Sequence, residues 1–159
     1  AQALSAKGAS ALKEEAQRRI QWHEPIPSIL AATPEANISG YPVYDRELLQ
    51  AEWLKDNGPI TLIGDAAHPM RPFLAQGAGM AIEDAAALAQ CWARLELPLS
   101  QRWQHYAQMR WARNAKVQKR AIRNGNIFHM QGPMRWGRNV AMRLMGESLM
   151  DVPWLYAGP

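Results

Sequence analysis

The chain has 159 residues and 48% of them are apolar, so it is long enough to bury one hydrophobic core. Its 18 Lys and Arg residues outnumber its 14 Asp and Glu residues, and most of these cations lie beyond Gln90. Cys91 is the only cysteine, which excludes an internal disulfide framework and a cysteine-rich metal site. The N-terminus is not signal-like and no apolar run reaches the roughly 18 residues that span a bilayer, so we expect a cytoplasmic protein without a membrane segment.

The first third of the chain predicts one helix and one short strand. Residues 11–22 are rich in helix formers and carry an approximate apolar stripe, and Pro25 and Pro27 are expected to end this helix. Residues 41–45 combine aromatic and β-branched side chains, but Pro42 restricts them to an edge strand or to the start of a strand.

A second strand and three more helices are predicted further along the chain. Residues 60–63 form a short apolar run that is typical of a buried strand. Two long helices are expected over about 99–123 and 133–145. Another helix is predicted over residues 78–95, where apolar side chains recur on one helical face: Ala81, Ala85, Leu88, Trp92 and Leu95. The predicted fold class is therefore α+β and mainly helical, with a few short strands.

Residues 64–85 carry the chemical signal of the chain and read G-D-A-A-H-P-M-R-P-F-L-A-Q-G-A-G-M-A-I-E-D-A. Asp65 directly follows the predicted strand, where an ionised carboxylate can accept hydrogen bonds from sugar or polyol hydroxyls. Residues 76–79 open the predicted helix with two glycines, which let the backbone approach a flat ligand closely. The free N–H groups and the dipole of a helix N-terminus favour a ligand with negative charge.

This segment resembles the second flavin-binding motif of the p-hydroxybenzoate hydroxylase superfamily, which comprises FAD-dependent aromatic-ring monooxygenases. The family pattern of G-D-A-A-H, a proline, G-Q-G and a D-A pair is matched in order by residues 64–68, Pro72, residues 76–77 and residues 84–85. The form A-Q-G-A followed by M-A-I-E-D-A is most similar to the salicylate hydroxylase-like branch, which includes hydroxybenzoate and hydroxynicotinate hydroxylases. The similarity extends from about Trp22 to Tyr156.

The resemblance implies a role for each matching residue. Asp65 would hold a hydroxyl of the flavin ribityl chain, and the backbone at the helix start would face the pyrimidine edge of the isoalloxazine ring. Pro72, the candidate catalytic residue, would lie by the ring, close to where oxygen and substrate react. His68 would be structural or lie near the phosphates. The candidate FAD-binding residues are Gly64, Asp65, Gln76, Gly77, Ala78, Gly79 and Met80.

Two positions depart from the family pattern, and one unit of the family is absent from the sequence. Ala75 stands where glycine is common, and Gly79 stands where many relatives have asparagine. The sequence contains no G-x-G-x-x-G unit of the kind that binds the ADP part of FAD. We therefore expect a C-terminal fragment of an FAD/NAD(P)-binding fold whose N-terminal half is missing. Residues 1–58 would end the substrate-binding domain, and residues 59–159 would form the last part of the FAD-binding domain with a helical tail.

The resemblance implies that the parent enzyme hydroxylates a salicylate- or hydroxybenzoate-like aromatic acid with FAD, NAD(P)H and O2. The isolated chain is expected to be incomplete and inactive, and its open strand edges favour a homodimer. The alternative is a basic helical binding module without catalysis, because cations follow the long helix over residues 110–123. A solvated face with interdomain pairing is favoured over a phosphate or nucleic-acid groove, since Trp, Met and Ala alternate with these cations. The four histidines lack ligand spacing, so no metal site is predicted.

Overall fold

The computed structural model describes residues 8–19, 23–47, 60–146 and 151–157. Within these ranges the chain is helical, with six α-helices, two short 3-10 helices and no strand. The chain divides into two compact units, Ala1–Val43 and Tyr44–Pro159. Among the described residues, none of the helices is long and apolar enough to cross a lipid bilayer.

The first unit contains α1 (Ala9–Arg19), α2 (Ile26–Ala32) and a 3-10 helix at Glu35–Asn37. Lys13 of α1 donates hydrogen bonds to the backbone carbonyls of Ala31 at 2.8 Å and Thr33 at 2.7 Å. A cation is favourable there because the last carbonyls of a helix lack intrahelical partners and carry the negative end of the dipole.

The predicted helix over residues 11–22 is confirmed within α1, and its last residues, 20–22, lie outside the described residues. The two prolines were expected only to end this helix, but Pro27 lies in the first turn of the next helix, α2. Proline fits at this place since the first backbone N–H groups of a helix have no intrahelical acceptor.

The second unit contains α3 (Gly77–Trp92), α4 (Leu99–Phe128), α5 (Gly132–Met145) and α6 (Pro153–Tyr156). The three longer helices were predicted, although α4 continues to Phe128 and not to about residue 123. Helices α3 and α4 pack against each other. Two buried apolar clusters hold the unit together, one with Met80, Val117, Val152 and Leu155, and one with Ala87, Cys91 and Tyr106.

The apolar face predicted for α3 is not the face that the helix buries, since the two differ by one residue, or by a rotation of about 100°. Ala85 is exposed, and Trp92 and Leu95 are 53% and 77% exposed. The side chains that α3 buries are Met80, Asp84, Ala87 and Cys91. Hydrophobic periodicity missed this face because its central residue is a carboxylate.

Both predicted strands are absent from the described residues. The predicted α+β class is therefore wrong in its strands, and the described part of the chain is helical. Residues 41–45 and 60–63 form no strand. Tyr41 is 82% exposed and Ile60 is 67% exposed. Ile63 has an extended backbone, with φ −133° and ψ 161°. An extended segment becomes a strand only when a neighbouring strand pairs with its backbone, and the described part of the chain contains no such neighbour.

Candidate functional site

The segment that resembles a flavin motif begins with a tight 3-10 helix at Gly64–Ala66. Gly64 has a positive φ of 57°, a conformation that glycine adopts without steric cost. A Cβ atom on Gly64 would lie 3.2 Å from the Cβ atom of Ala81 in α3. Glycine at this position therefore allows both the turn and its close approach to α3.

Asp65 lies in this turn with its side chain exposed, beside the N-terminus of α3. Its Oδ1 atom is 3.7 Å from the position that a Cβ atom would occupy on Gly77, the first residue of α3. Gln76, the N-cap residue, makes no side-chain capping hydrogen bond. The turn thus places a carboxylate acceptor next to a helix N-terminus without a side-chain cap, and the dipole of that helix favours the negative charge.

Only part of the first turn of α3 has backbone N–H groups that are available to a ligand. The N–H of Met80 already donates to the Gln76 carbonyl at 2.9 Å, and the Met80 side chain is buried in the core. Ala78 is exposed, and Gly77 and Gly79 are half-buried. A Cβ atom on Gly79 would lie 3.1 Å from Gln76 Oε1. Met80 is the first residue of this helix whose N–H has an acceptor in the helix, so the N–H groups of residues 77–79 are the donors of this turn that remain for a ligand.

Pro72, the candidate catalytic residue, is exposed in the loop between the 3-10 turn and α3. It lines a cleft of about 340 Å³ together with Phe73, Leu74 and Ala75 of the same loop. Residues from the second half of α4 and from α6 form the rest of the wall. The loop is attached to α4 by a hydrogen bond from Asn124 to the Phe73 carbonyl at 3.1 Å.

Asp84 lies at the centre of a buried polar network behind the turn. It is fully buried and accepts hydrogen bonds from the Gly64 N–H at 3.0 Å and from Arg110 Nε at 2.8 Å. Asn114 Nδ2 donates to it at 3.0 Å, and His68 Nε2 lies 2.5 Å from its second oxygen. One carboxylate therefore connects the 3-10 turn, the following loop and α4.

The network holds Asp84 in its charged form. Burial alone would raise the pKa of Asp84, but the hydrogen bonds from His68, Asn114, Arg110 and the Gly64 backbone outweigh it and hold the pKa well below its ordinary value. The same negative charge, after burial, helps to raise the pKa of Tyr106 above its usual range. A buried carboxylate in this state stabilises the fold only while its cationic partner stays in place.

A second carboxylate extends the network to α6. Glu83 accepts two hydrogen bonds from Arg113, each of 2.7 Å, and one from Arg110 at 2.7 Å. Arg113 also donates to the carbonyl of Leu155 at 2.9 Å. The hydrogen bonds from Arg113 are the largest cause of a lowered pKa at Glu83. Paired contacts between guanidinium and carboxylate are among the stronger polar contacts in proteins.

This network was not predicted from the sequence. Asp84 was recognised only as half of the D-A pair, and Arg110 was assigned to a solvated basic face that is wrong for this residue, since it is 1% exposed. The signal that could have found the network is the spacing of Arg110, Asn114 and Gln118, which follow one another at i, i+4 and i+8 on the buried face of α4.

The residues around Asp65 fit a flavin. An exposed carboxylate is an acceptor for ribityl hydroxyls, and free N–H groups at a helix start are donors for an electron-rich ring edge. The glycine at residue 77 leaves open the space between these two groups.

Comparison with known proteins identifies the family. Residues 13–121 match the FAD binding domain family. The chain belongs to this family. The FAD-dependent family predicted from residues 64–85 is therefore confirmed.

The names of the relatives of the chain are those of monooxygenases and hydroxylases. The chain is 35% identical to an aurachin C monooxygenase/isomerase of Stigmatella aurantiaca over 85% of its own length and 34% of that protein. It is 34% identical to a 3-hydroxybenzoate 6-hydroxylase of Klebsiella oxytoca over 70% of its length and 28% of that protein. It is 48% identical to a 6-hydroxynicotinate 3-monooxygenase of Bordetella bronchiseptica over 43% of its length and 17% of that protein. The chain spans about a third of the first of these relatives and less of the other two.

Proposed function

We propose that this chain carries the part of an FAD site that binds the ribityl chain and the pyrimidine edge of the flavin. The observation that supports this most strongly is the exposed Asp65 carboxylate beside the N-terminus of α3. Asp65 would accept a hydrogen bond from a ribityl hydroxyl, and the N–H groups of residues 77–79 would donate to the ring edge. Pro72 would lie beside the ring on the side where substrate and oxygen react.

The parent enzyme would be a flavoprotein monooxygenase of an aromatic acid, in keeping with the names of its relatives. Bound FAD would supply the redox chemistry, taking electrons from NAD(P)H and using O2 to hydroxylate the ring. The share of this chain is binding and electrostatics. A helix N-terminus stabilises nearby negative charge by ~1 kcal/mol, which corresponds to roughly 20 mV for a two-electron couple. The dipole of α3 would therefore tune the flavin slightly and favour its reduced form.

The remainder of the FAD site would come from a segment outside this chain. The sequence has no G-x-G-x-x-G unit, and the chain spans about a third of several relatives. In this proposal residues 1–58 end the substrate-binding domain and residues 59–159 end the FAD-binding domain. The salicylate- or hydroxybenzoate-like substrate would contact the missing N-terminal half for the most part, and the isolated chain would be inactive.

Self-association of the isolated chain also belongs to this proposal. Ile60 is 67% exposed and Ile63 is 38% exposed, so apolar surface is open at the extended segment before the turn. A dimer would cover part of this surface. Sedimentation at tens of micromolar is expected to show a dimer, and a monodisperse monomer would contradict this part of the proposal.

Substitution of Asp65 in the longer enzyme tests the proposal. A charge-assisted hydrogen bond contributes about 1.5–3 kcal/mol, so Asp65→Ala should weaken FAD binding roughly 10- to 150-fold. Asp65→Asn should lose less FAD affinity, because the amide oxygen of asparagine still accepts a hydrogen bond from the hydroxyl. Asp151→Ala, at another exposed carboxylate, is the matched control and should leave the affinity unchanged. Equal FAD affinity of Asp65→Ala and wild type in fluorescence titration would overturn the proposal, and loss of folding in both Asp65 variants would make this residue structural.

A further inference from the structure

Two neighbouring residues that lie before the flavin-like motif in the sequence contact the loop of that motif. This motif loop, residues 65–72, has Asp65 at its first end and Pro72 at its last. Arg46 donates from Nη1 to the carbonyl of Ala66 at 3.2 Å. Ala66 directly follows Asp65 in the 3-10 turn. The contact therefore restrains the turn that carries the Asp65 carboxylate.

Asp45 contacts the other end of the motif loop. It accepts a hydrogen bond of 2.6 Å from Nε of Arg71, which directly precedes Pro72. The side chains of Arg71 and Asp45 are 35% and 29% exposed. An ion pair that is open to solvent to this degree contributes little to the free energy of unfolding. Its main effect is therefore on the position of the loop beside Pro72.

A buried side chain of α4 joins the same two segments from the core. Gln118 is 1% exposed, and its Nε2 atom donates to the carbonyls of Arg46 and Pro69, each at 3.3 Å. Pro69 lies in the middle of the motif loop. The backbone of residues 45–46 is thus attached to the core as well as to the loop, so it can serve as a fixed support for the loop.

We propose that Asp45 and Arg46 are positioning residues of the flavin site, which hold Asp65 and Pro72 in place relative to each other. This role rests on the function proposed above, in which Asp65 binds the ribityl chain and Pro72 lies beside the ring. One ligand must meet both groups, so a displacement of either end of the motif loop weakens its binding. The apparent affinity falls with the fraction of molecules that have the competent arrangement.

Hydrogen exchange of the 159-residue chain tests the contact of Arg46 without flavin. The amide hydrogen of His68 donates to the Gly64 carbonyl at 2.9 Å across the 3-10 turn, so its exchange reports how often the turn opens. Arg46→Gln should make this exchange roughly 2- to 10-fold faster. Arg94→Gln removes an exposed ion pair with Glu96, beyond the C-terminal end of α3, and should change nothing. Unchanged exchange in folded Arg46→Gln would overturn the role of Arg46.

Titration of the longer enzyme with FAD tests both contacts at the cofactor. Arg46→Gln and Arg71→Gln should each raise the Kd for FAD roughly 2- to 10-fold, whereas Arg94→Gln should not. The Tm of the unliganded enzyme should stay unchanged, because the contacts are exposed. Combining Asp45→Arg with Arg71→Asp restores the ion pair with its charges exchanged and should recover FAD affinity relative to Arg71→Asp alone. Single variants that bind FAD as the wild type does, or no recovery in the folded double variant, would overturn the role of Asp45.

A second double variant separates this role from the proposed function. If Arg46 acts through Asp65, Arg46→Gln should cause no further loss of FAD affinity in the Asp65→Ala enzyme. A further loss of the same size would mean that Arg46 contacts the cofactor directly, and would overturn its positioning role. If Asp65→Ala alone binds FAD as the wild type does, the proposed function fails, and the exchange rate of the His68 amide still decides whether Arg46 holds the turn.

Discussion

Ala75 is strained, and its replacement by glycine should stabilise the protein. Its φ is +53°, a left-handed conformation in which the Cβ atom of an L-residue approaches its own backbone. The cost for a non-glycine residue is roughly 1–2 kcal/mol. Glycine removes this strain but makes the unfolded chain more flexible, which costs about 0.4–1 kcal/mol. We therefore expect Ala75→Gly to raise the free energy of unfolding by about 0.8 kcal/mol, or the Tm by ~2–3 °C for a chain of this size.

Thermal unfolding followed by circular dichroism at the helical band measures this change. Ala89→Gly is the matched control, since Ala89 is exposed in the regular helix α3. There the same substitution should destabilise the protein by about 1 kcal/mol. If Ala75→Gly lowered the Tm as Ala89→Gly does, the strain assigned to Ala75 would be refuted.

The remaining predictions concern packing, charge and cofactor. A Cβ atom on Gly125 would lie 2.6 Å from an aromatic ring, so alanine there should cost about 1–3 kcal/mol. At Gly137, with nothing within 4 Å, alanine should stabilise by up to ~1 kcal/mol, and urea unfolding compares the two variants. Asp84→Asn should cost about 1–3 kcal/mol, because the buried guanidinium of Arg110 loses one of its two carboxylate partners and keeps Glu83, whereas Asp151→Asn should leave the urea midpoint unchanged. The folded-state pKa values of Asp84 and Glu83 lie below their ordinary values, so their stabilisation is complete above about pH 5 and is lost progressively as the pH falls further. A free energy of unfolding that stayed constant from about pH 5 to pH 2 would contradict this. The isolated chain should bind FAD weakly or not at all, because the rest of the FAD site would lie outside it. Purification of the chain with stoichiometric bound FAD would contradict this prediction.

The helices could be predicted from the sequence because their signals are local. Helix-forming residues, the proline at residue 98 and the glycine at residue 132 mark where α4 and α5 begin, and the structure agrees to within a residue. The strands could not be predicted in this way. Residues 60–63 have a strand-like composition, but pairing depends on a neighbour elsewhere in space.

The position of the candidate site along the chain could be predicted from the sequence. The buried ion pair behind the site could not. The motif of residues 64–85 predicted that Asp65 directly follows a strand and that a helix opens at residues 76–79. The helix start is confirmed, whereas Asp65 lies in a 3-10 turn that follows an extended residue and not a strand. The buried face of α3 was missed because Asp84 is polar and its partner Arg110 lies 26 residues away. Hydrophobic patterns detect apolar faces only, so a buried ion pair between two helices has no such signal.

The most direct test of the flavin assignment is a crystal structure of the longer enzyme with FAD bound. We expect a ribityl hydroxyl about 2.5–3.0 Å from a carboxylate oxygen of Asp65. The pyrimidine edge of the ring should lie at the N–H groups of residues 77–79. A flavin bound elsewhere, with the Asp65 carboxylate left in solvent, would contradict the proposed function.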